Sequence, residues 1–75
     1  MTATFHEIDN TGDTRTEWNK DNPIEVEVAN KLFQKLKDKG YLIYKTRRDG
    51  SKAEQLHRFD PDAERIMATP PIVGG

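Results

Sequence analysis

Asn22-Pro23-Ile24-Glu25-Val26-Glu27-Val28-Ala29-Asn30-Lys31-Leu32-Phe33-Gln34-Lys35-Leu36-Lys37-Asp38-Lys39-Gly40 reads as one helix with both ends marked. Asn22 offers a capping side chain, and Pro23 suits the first helical position, where its missing N–H is no loss. Glu25 stands three residues after the cap, as in a capping box. Gly40 ends the run, and Lys37 and Lys39 suit the negative end of the helix dipole. The expected span is Pro23 to Lys39. At about 100° per residue, Ile24, Val26, Val28, Ala29, Leu32, Phe33 and Leu36 fall within one arc of roughly 200°, with Glu27, Asn30, Lys31, Gln34, Lys37 and Asp38 opposite. A helix so patterned must lie on something.

Strands are what the remaining sequence offers. Before the helix, Thr2 to Ile8 and Thr14 to Trp18 are rich in Thr and aromatics, and Asn10-Thr11-Gly12-Asp13 between them is a hairpin connection. Thr14, Thr16 and Trp18 share one side of the second strand, Arg15 and Glu17 the other. After the helix, Tyr41 to Arg48 forms a strand, Asp49-Gly50 a tight turn, and Ala53 to Phe59 returns beside it. Asp60-Pro61-Asp62-Ala63-Glu64 reads as a turn or a single helical turn. Arg65 to Thr69 is a last strand, stopped by Pro70-Pro71. The order β-β-α-β-β-β with one helix to cover one sheet defines a two-layer α+β domain over residues 1–69, followed by an extended tail over residues 70–75.

Composition limits what this domain can do. Seventy-five residues bury only about 60% of the unfolded chain's surface, and without cysteine neither disulfides nor thiolate-bound metal add support. The core must come from Phe5, Trp18, Phe33, Tyr41, Tyr44, Phe59 and nearby aliphatics. Trp18, just before the helix, is expected to be buried. A net charge of -1 with 33% charged residues gives no strong pull toward either sign of partner. No segment is apolar enough to span a bilayer, and the start carries no basic-then-apolar leader, so the expected location is cytoplasmic.

Catalysis has few candidates. His6 and His57 each sit in a strand candidate without a second His or a carboxylate at metal-ligand spacing. Asp60, Asp62 and Glu64 lack an EF-hand pattern and read as turn and cap residues. Gly12 and Gly50 belong to hairpin turns and form no phosphate-binding motif. The expectation is a non-enzyme without metal or cofactor. Lys45, Arg47, Arg48 and Lys52 gather at the Asp49-Gly50 hairpin, near Arg58 and with Tyr44 as a stacking residue, so weak binding of single-stranded nucleic acid is an alternative. Asp49, Glu54 and a pI near 6.1 weigh against it. Leu42 and Tyr44 share one side of the third strand, Tyr41 and Ile43 the other; both sides being apolar, one can serve partner recognition.

The sequence closes on Ile72-Val73-Gly74-Gly75. Glycine makes up about 7% of ordinary sequence, so two at fixed places arise by chance in roughly one chain in 200. A carboxylate that must enter a narrow enzyme tunnel needs a tail without Cβ atoms; the bland alternative is a frayed end. An opening Met, a strand, a turn with Gly12, a second strand, a capped helix ending near Gly40 and the closing Gly74-Gly75 together resemble ubiquitin-like modifiers of the β-grasp fold. That resemblance implies a mixed sheet whose first and last strands lie parallel at the centre. It also implies a Gly74-Gly75 conjugation tail, an E1-like activating enzyme and a target protein as partners, and recognition through Leu42, Tyr44, Ile72 and Val73. Ubiquitin itself carries basic residues before its glycines, where this chain has Pro70-Pro71 and aliphatics. Trp18-Asn19-Lys20-Asp21-Asn22-Pro23, Phe59-Asp60-Pro61-Asp62-Ala63-Glu64 and Pro70-Pro71-Ile72-Val73-Gly74-Gly75 also resemble small bacterial and phage proteins without an established function. That second likeness carries no function with it, and the alternative set beside the modifier is a non-enzymatic interaction protein of bacterial or phage origin.

Overall fold

The helix forms as its ends foretell. A computed structural model describes residues 2–9 and 12–71. In it, α1 spans Pro23–Asp38, and Asn22 Oδ1 accepts from the backbone N–H groups of Ile24 (3.0 Å) and Glu25 (3.4 Å). Glu25 reaches back to Asn22 Nδ2 (2.8 Å) and to the backbone N–H of Asn19 (3.3 Å), so the capping box is closed onto the preceding strand as well as the cap. At the other end Tyr41 N–H donates to Leu36 O (3.0 Å) and Gly40 N–H to Lys37 O (2.9 Å). This paired closure requires the left-handed φ of +85° that Gly40 adopts.

Five strands make one mixed sheet: β1 (Thr2–Asp9), β2 (Gly12–Asn19), β3 (Leu42–Thr46), β4 (Glu54–Gln55) and β5 (Arg65–Thr69), in the order β2-β1-β5-β3-β4. β1 and β5, drawn from opposite ends of the chain, pair in parallel at the centre with Phe5 beside Ile66; the other three pairings are antiparallel. A parallel pair of first and last strands is what the resemblance given above implied. The helix lies on one face, where Ala3, Phe5, Trp18, Ile43, Ile66 and Ala68 meet Ala29, Phe33 and Leu36. Four rings link the layers. Phe5 to Trp18, Trp18 to Phe59 and Phe59 to Phe33 have centroids 6.5, 5.8 and 5.9 Å apart, tilted by 53–60° as favourable edge-to-face pairs are. Trp18 is buried as expected, at 1% exposure, but its Nε1–H finds no hydrogen-bond partner among the described residues.

Two expectations need correction. The apolar arc of the helix is wider than the face it buries: Ile24 and Val28 are 73% and 56% exposed, while Val26 and Leu32 only border the core. Second, the return strand is Glu54–Gln55, not Ala53 to Phe59, and β3 stops at Thr46. Gly50 (φ +84°) turns the chain back as expected, but Lys52 also takes a positive φ of 56°, and Lys45 pairs with Glu54 only after that longer loop. His57 consequently lies in an exposed loop, its carbonyl accepting from Lys37 Nζ. Asp60 to Glu64 takes the first of the two forms expected of it, a turn. No helix among the described residues is long and apolar enough to cross a membrane.

Burial divides the helix residues into two groups with different stability effects. Phe33→Ala is expected to cost about 3–5 kcal/mol, a large part of a small domain's stability, whereas Ile24→Ala and Val28→Ala should cost less than about 1 kcal/mol each. Urea unfolding midpoints of the three variants check this. Comparable losses at Ile24 and Phe33 would contradict the one-sided packing.

Candidate functional site

Strand alternation fixes what the helix-free face presents, because residues opposite one another in neighbouring strands share a face. One row across β2, β1 and β5 is Arg15, His6 and Met67; the next is Glu17, Thr4 and Arg65. β3 adds Leu42 beside Thr69, Tyr44 beside Met67 and Thr46 beside Arg65. Leu42 and Tyr44 therefore lie on this face, Leu42 at 36% exposure and Tyr44 half-buried. Ile43 is buried beneath the helix and Tyr41 packs on the core margin, so the second apolar side of β3 is used up in packing. Ile72, Val73, Gly74 and Gly75, expected to form the conjugation tail and part of the partner surface, lie outside the described residues.

The basic hairpin does not act as a unit. Lys45 faces the helix side, its Nζ 2.9 Å from Asp60 Oδ2 and 3.7 Å from Glu54. Arg47 and Lys52 line a cleft of about 250 Å³ with Lys45 and with Glu54, Asp60, Asp62 and Glu64, which set four carboxylates against three cations. Arg48 turns to the opposite side of the sheet, where its guanidinium approaches the Thr2 carbonyl (3.4 Å) and its backbone N–H donates to Glu64 Oε2 (3.0 Å). Asp60 Oδ1 accepts from the backbone N–H of Asp62 (2.9 Å). The Asp60 and Glu64 carboxylates are thus engaged in turn, backbone and ion-pair roles. Among the described residues no three His, Asp or Glu are arranged to hold a metal ion.

The arginines that do converge come from three separate elements. Arg15 of β2, Arg48 after β3 and Arg65 of β5 line a cleft of about 200 Å³ with Thr4 and His6. His6 is 7% exposed, and its Nδ1 lies 3.3 Å from the Arg65 guanidinium. A guanidinium only donates, so Nδ1 accepts, and the neutral ring carries its proton on Nε2. That Nε2 sits 3.4 Å from Asp13 Oδ2 without hydrogen-bond geometry. Sequence reading overlooked this group, although the alternation that set Arg15 apart from Thr14 and Thr16 was its visible trace.

No family model, no curated protein and no solved structure matches this chain.

The Lys45–Asp60 contact carries a pH signature. The hydrogen bond from Lys45 holds the Asp60 carboxyl below the usual carboxylate range, against the opposing effect of its partial burial. The bond to Asp60, reinforced by that group's charge, raises the Lys45 ammonium. A lowered carboxyl contributes stability that is present above about pH 4 and lost as pH falls through the native value; a raised ammonium contributes stability present below about pH 10 and lost at higher pH. Asp60→Asn should therefore flatten the decline of the urea midpoint between about pH 4 and pH 2 relative to the parent chain. Superimposable acid limbs would show that the pair is too well solvated to matter.

Proposed function

We propose that this chain is a β-grasp domain of the ubiquitin-like kind: a non-catalytic, cytoplasmic modifier or carrier whose Gly75 carboxylate is activated by a partner enzyme. The observation that carries the reading is the central parallel pair of β1 and β5 under a single helix, since it sends the chain out of the sheet at Thr69, directly opposite Leu42. A partner gripping Leu42 and Tyr44 then has the outgoing segment at hand. From Thr69 the six residues to Gly75 reach at most about 21 Å if fully extended, enough to enter an active site beside the bound domain. Pro70 and Pro71 fix φ at the base of that segment.

In this reading an E1-like enzyme joins the Gly75 carboxylate to AMP from ATP, releasing pyrophosphate. An enzyme thiolate then displaces AMP, and a lysine amine of the target or a sulfur donor displaces the thiolate. The domain contributes recognition and reach only, with Gly75 bearing the free carboxylate either as synthesised or after cleavage of a longer precursor. A second reading is binding without conjugation, as an interaction protein of bacterial or phage origin. It draws on the exposed Ile24, Val28 and Leu42, which give the domain apolar contacts independent of any tail. Nucleic-acid binding through the hairpin has less support, because Arg47 and Lys52 stand among carboxylates while Lys45 and Arg48 diverge.

Incubation with ATP and extract of the source cells, followed by mass-resolved detection of the tagged domain, tests the conjugation reading. Adducts are expected that disappear when Gly75 is deleted and fall at least about tenfold with Leu42→Glu, a surface change of small structural cost. Adducts that survive Gly75 deletion would overturn it. Binding of the intact domain to a partner without adducts would favour the interaction protein.

A further inference from the structure

We infer that the cleft between Arg15, Arg48 and Arg65 is a binding site for a small dianionic phosphate ligand, independent of any conjugation. Its lining is Thr4, His6 and the three arginines, with no carboxylate among them, in a chain whose net charge is -1. Guanidinium groups facing a common space repel one another unless an anion joins them, and their planar forks match phosphate oxygens. Arg15 has no ion-pair partner among the described residues, and Arg65 spends a hydrogen bond on the uncharged Nδ1 of His6. The second sign is His6 itself. A ring more than nine-tenths buried lines the same cleft, and its Nε2, 3.4 Å from Asp13 Oδ2, is with Trp18 Nε1 one of two buried side-chain polar atoms that find no hydrogen bond among the described residues.

Size and surroundings narrow the ligand class. The cleft of about 200 Å³ holds a phosphate group with room for a small substituent, and the neighbouring hollow of about 330 Å³ shares Thr4, Arg48 and Arg65 and adds Thr2 and Glu64. Glu17 stands beside Thr4 in the register, Asp13 close to His6, and Glu64 at the junction with the hollow, so carboxylates ring the arginines. A nucleic-acid strand would have to lay successive charges over those acids, whereas a compact dianion sits only where the arginines meet. The ligand is therefore a free phosphate or a small phosphomonoester.

Titration of the full chain with inorganic phosphate, followed by nitrogen–proton correlation spectra of backbone amides and arginine Nε–H groups, tests the site. Sodium chloride at matched ionic strength is the control. Saturable shifts are expected at Thr4, His6, Arg15, Arg48 and Arg65, with a dissociation constant at or below about 1 mM. Arg15→Ala and Arg48→Ala remove exposed side chains and should each weaken binding about tenfold, while Arg47→Ala leaves it unchanged. Shifts reproduced by chloride, shifts centred on Arg47 and Lys52, or a single-stranded oligonucleotide binding these residues more tightly than phosphate would each overturn the proposal. Loss of adducts on Gly75 deletion leaves this outcome untouched.

Discussion

The parallel pairing of β1 with β5 is the constraint on which the domain depends. A parallel pair admits no hairpin, so the whole intervening chain, from the end of β1 at Asp9 to the start of β5 at Arg65, must be folded over or beside the sheet before Phe5 can meet Ile66. That closure carries the entropy of a long loop, offset only when the apolar face beneath α1 is complete. Among the described strands β5 alone has two neighbours, β1 and β3, that are both non-consecutive with it in sequence, and β1 and β5 carry Ala3, Phe5, Ile66 and Ala68, all essentially sealed from solvent. Folding of such a non-local sheet is expected to be cooperative and slower than that of a helical bundle of this size.

The ring cluster explains how so small a core holds two layers together. Phe5 and Trp18 rise from the sheet, Phe33 descends from the helix, and Phe59 fills the corner from the loop that follows β4. The loop thus replaces the strand that its sequence pattern promised. Phe59 is fixed by aromatic packing, and Lys45 by the acidic side chain of Asp60, the next residue along. The indole N–H of Trp18, left without a partner inside this cluster, is a cost accepted for filling the volume, since no other side chain of the chain is as large.

Local signals in the sequence were legible and distant ones were less so. Asn22, Pro23, Glu25 and Gly40 act within one turn of themselves, and their positions gave the helix ends to a residue. Arg65 to Thr69 was readable because the turn at Asp60 to Glu64 and Pro70 bound it on both sides. The exposure of Ile24 and Val28 was not, because an apolar arc states what a helix could bury and not how wide its sheet is. The length of β4 depended on Lys52 entering the left-handed region, for which a lysine gives no hint. The arginine cleft joins positions 15, 48 and 65 through strand register, and register is a property of the pairing. Cysteine-free composition and balanced charge could not say which face would carry the cations.

The two margins of the sheet are unequal. One ends in the two residues of β4, too short to template anything, while the other exposes the full eight residues of β2 with peptide groups facing outward. Such a border invites a visiting strand from another molecule. Asp13, Arg15 and Glu17 alternate sign along it, so a flat apolar segment gains little there and a guest with the opposite sequence of charges gains most. The border of β2 therefore screens newcomers by charge order, which lets this domain keep an open flank and still stay out of indiscriminate aggregates.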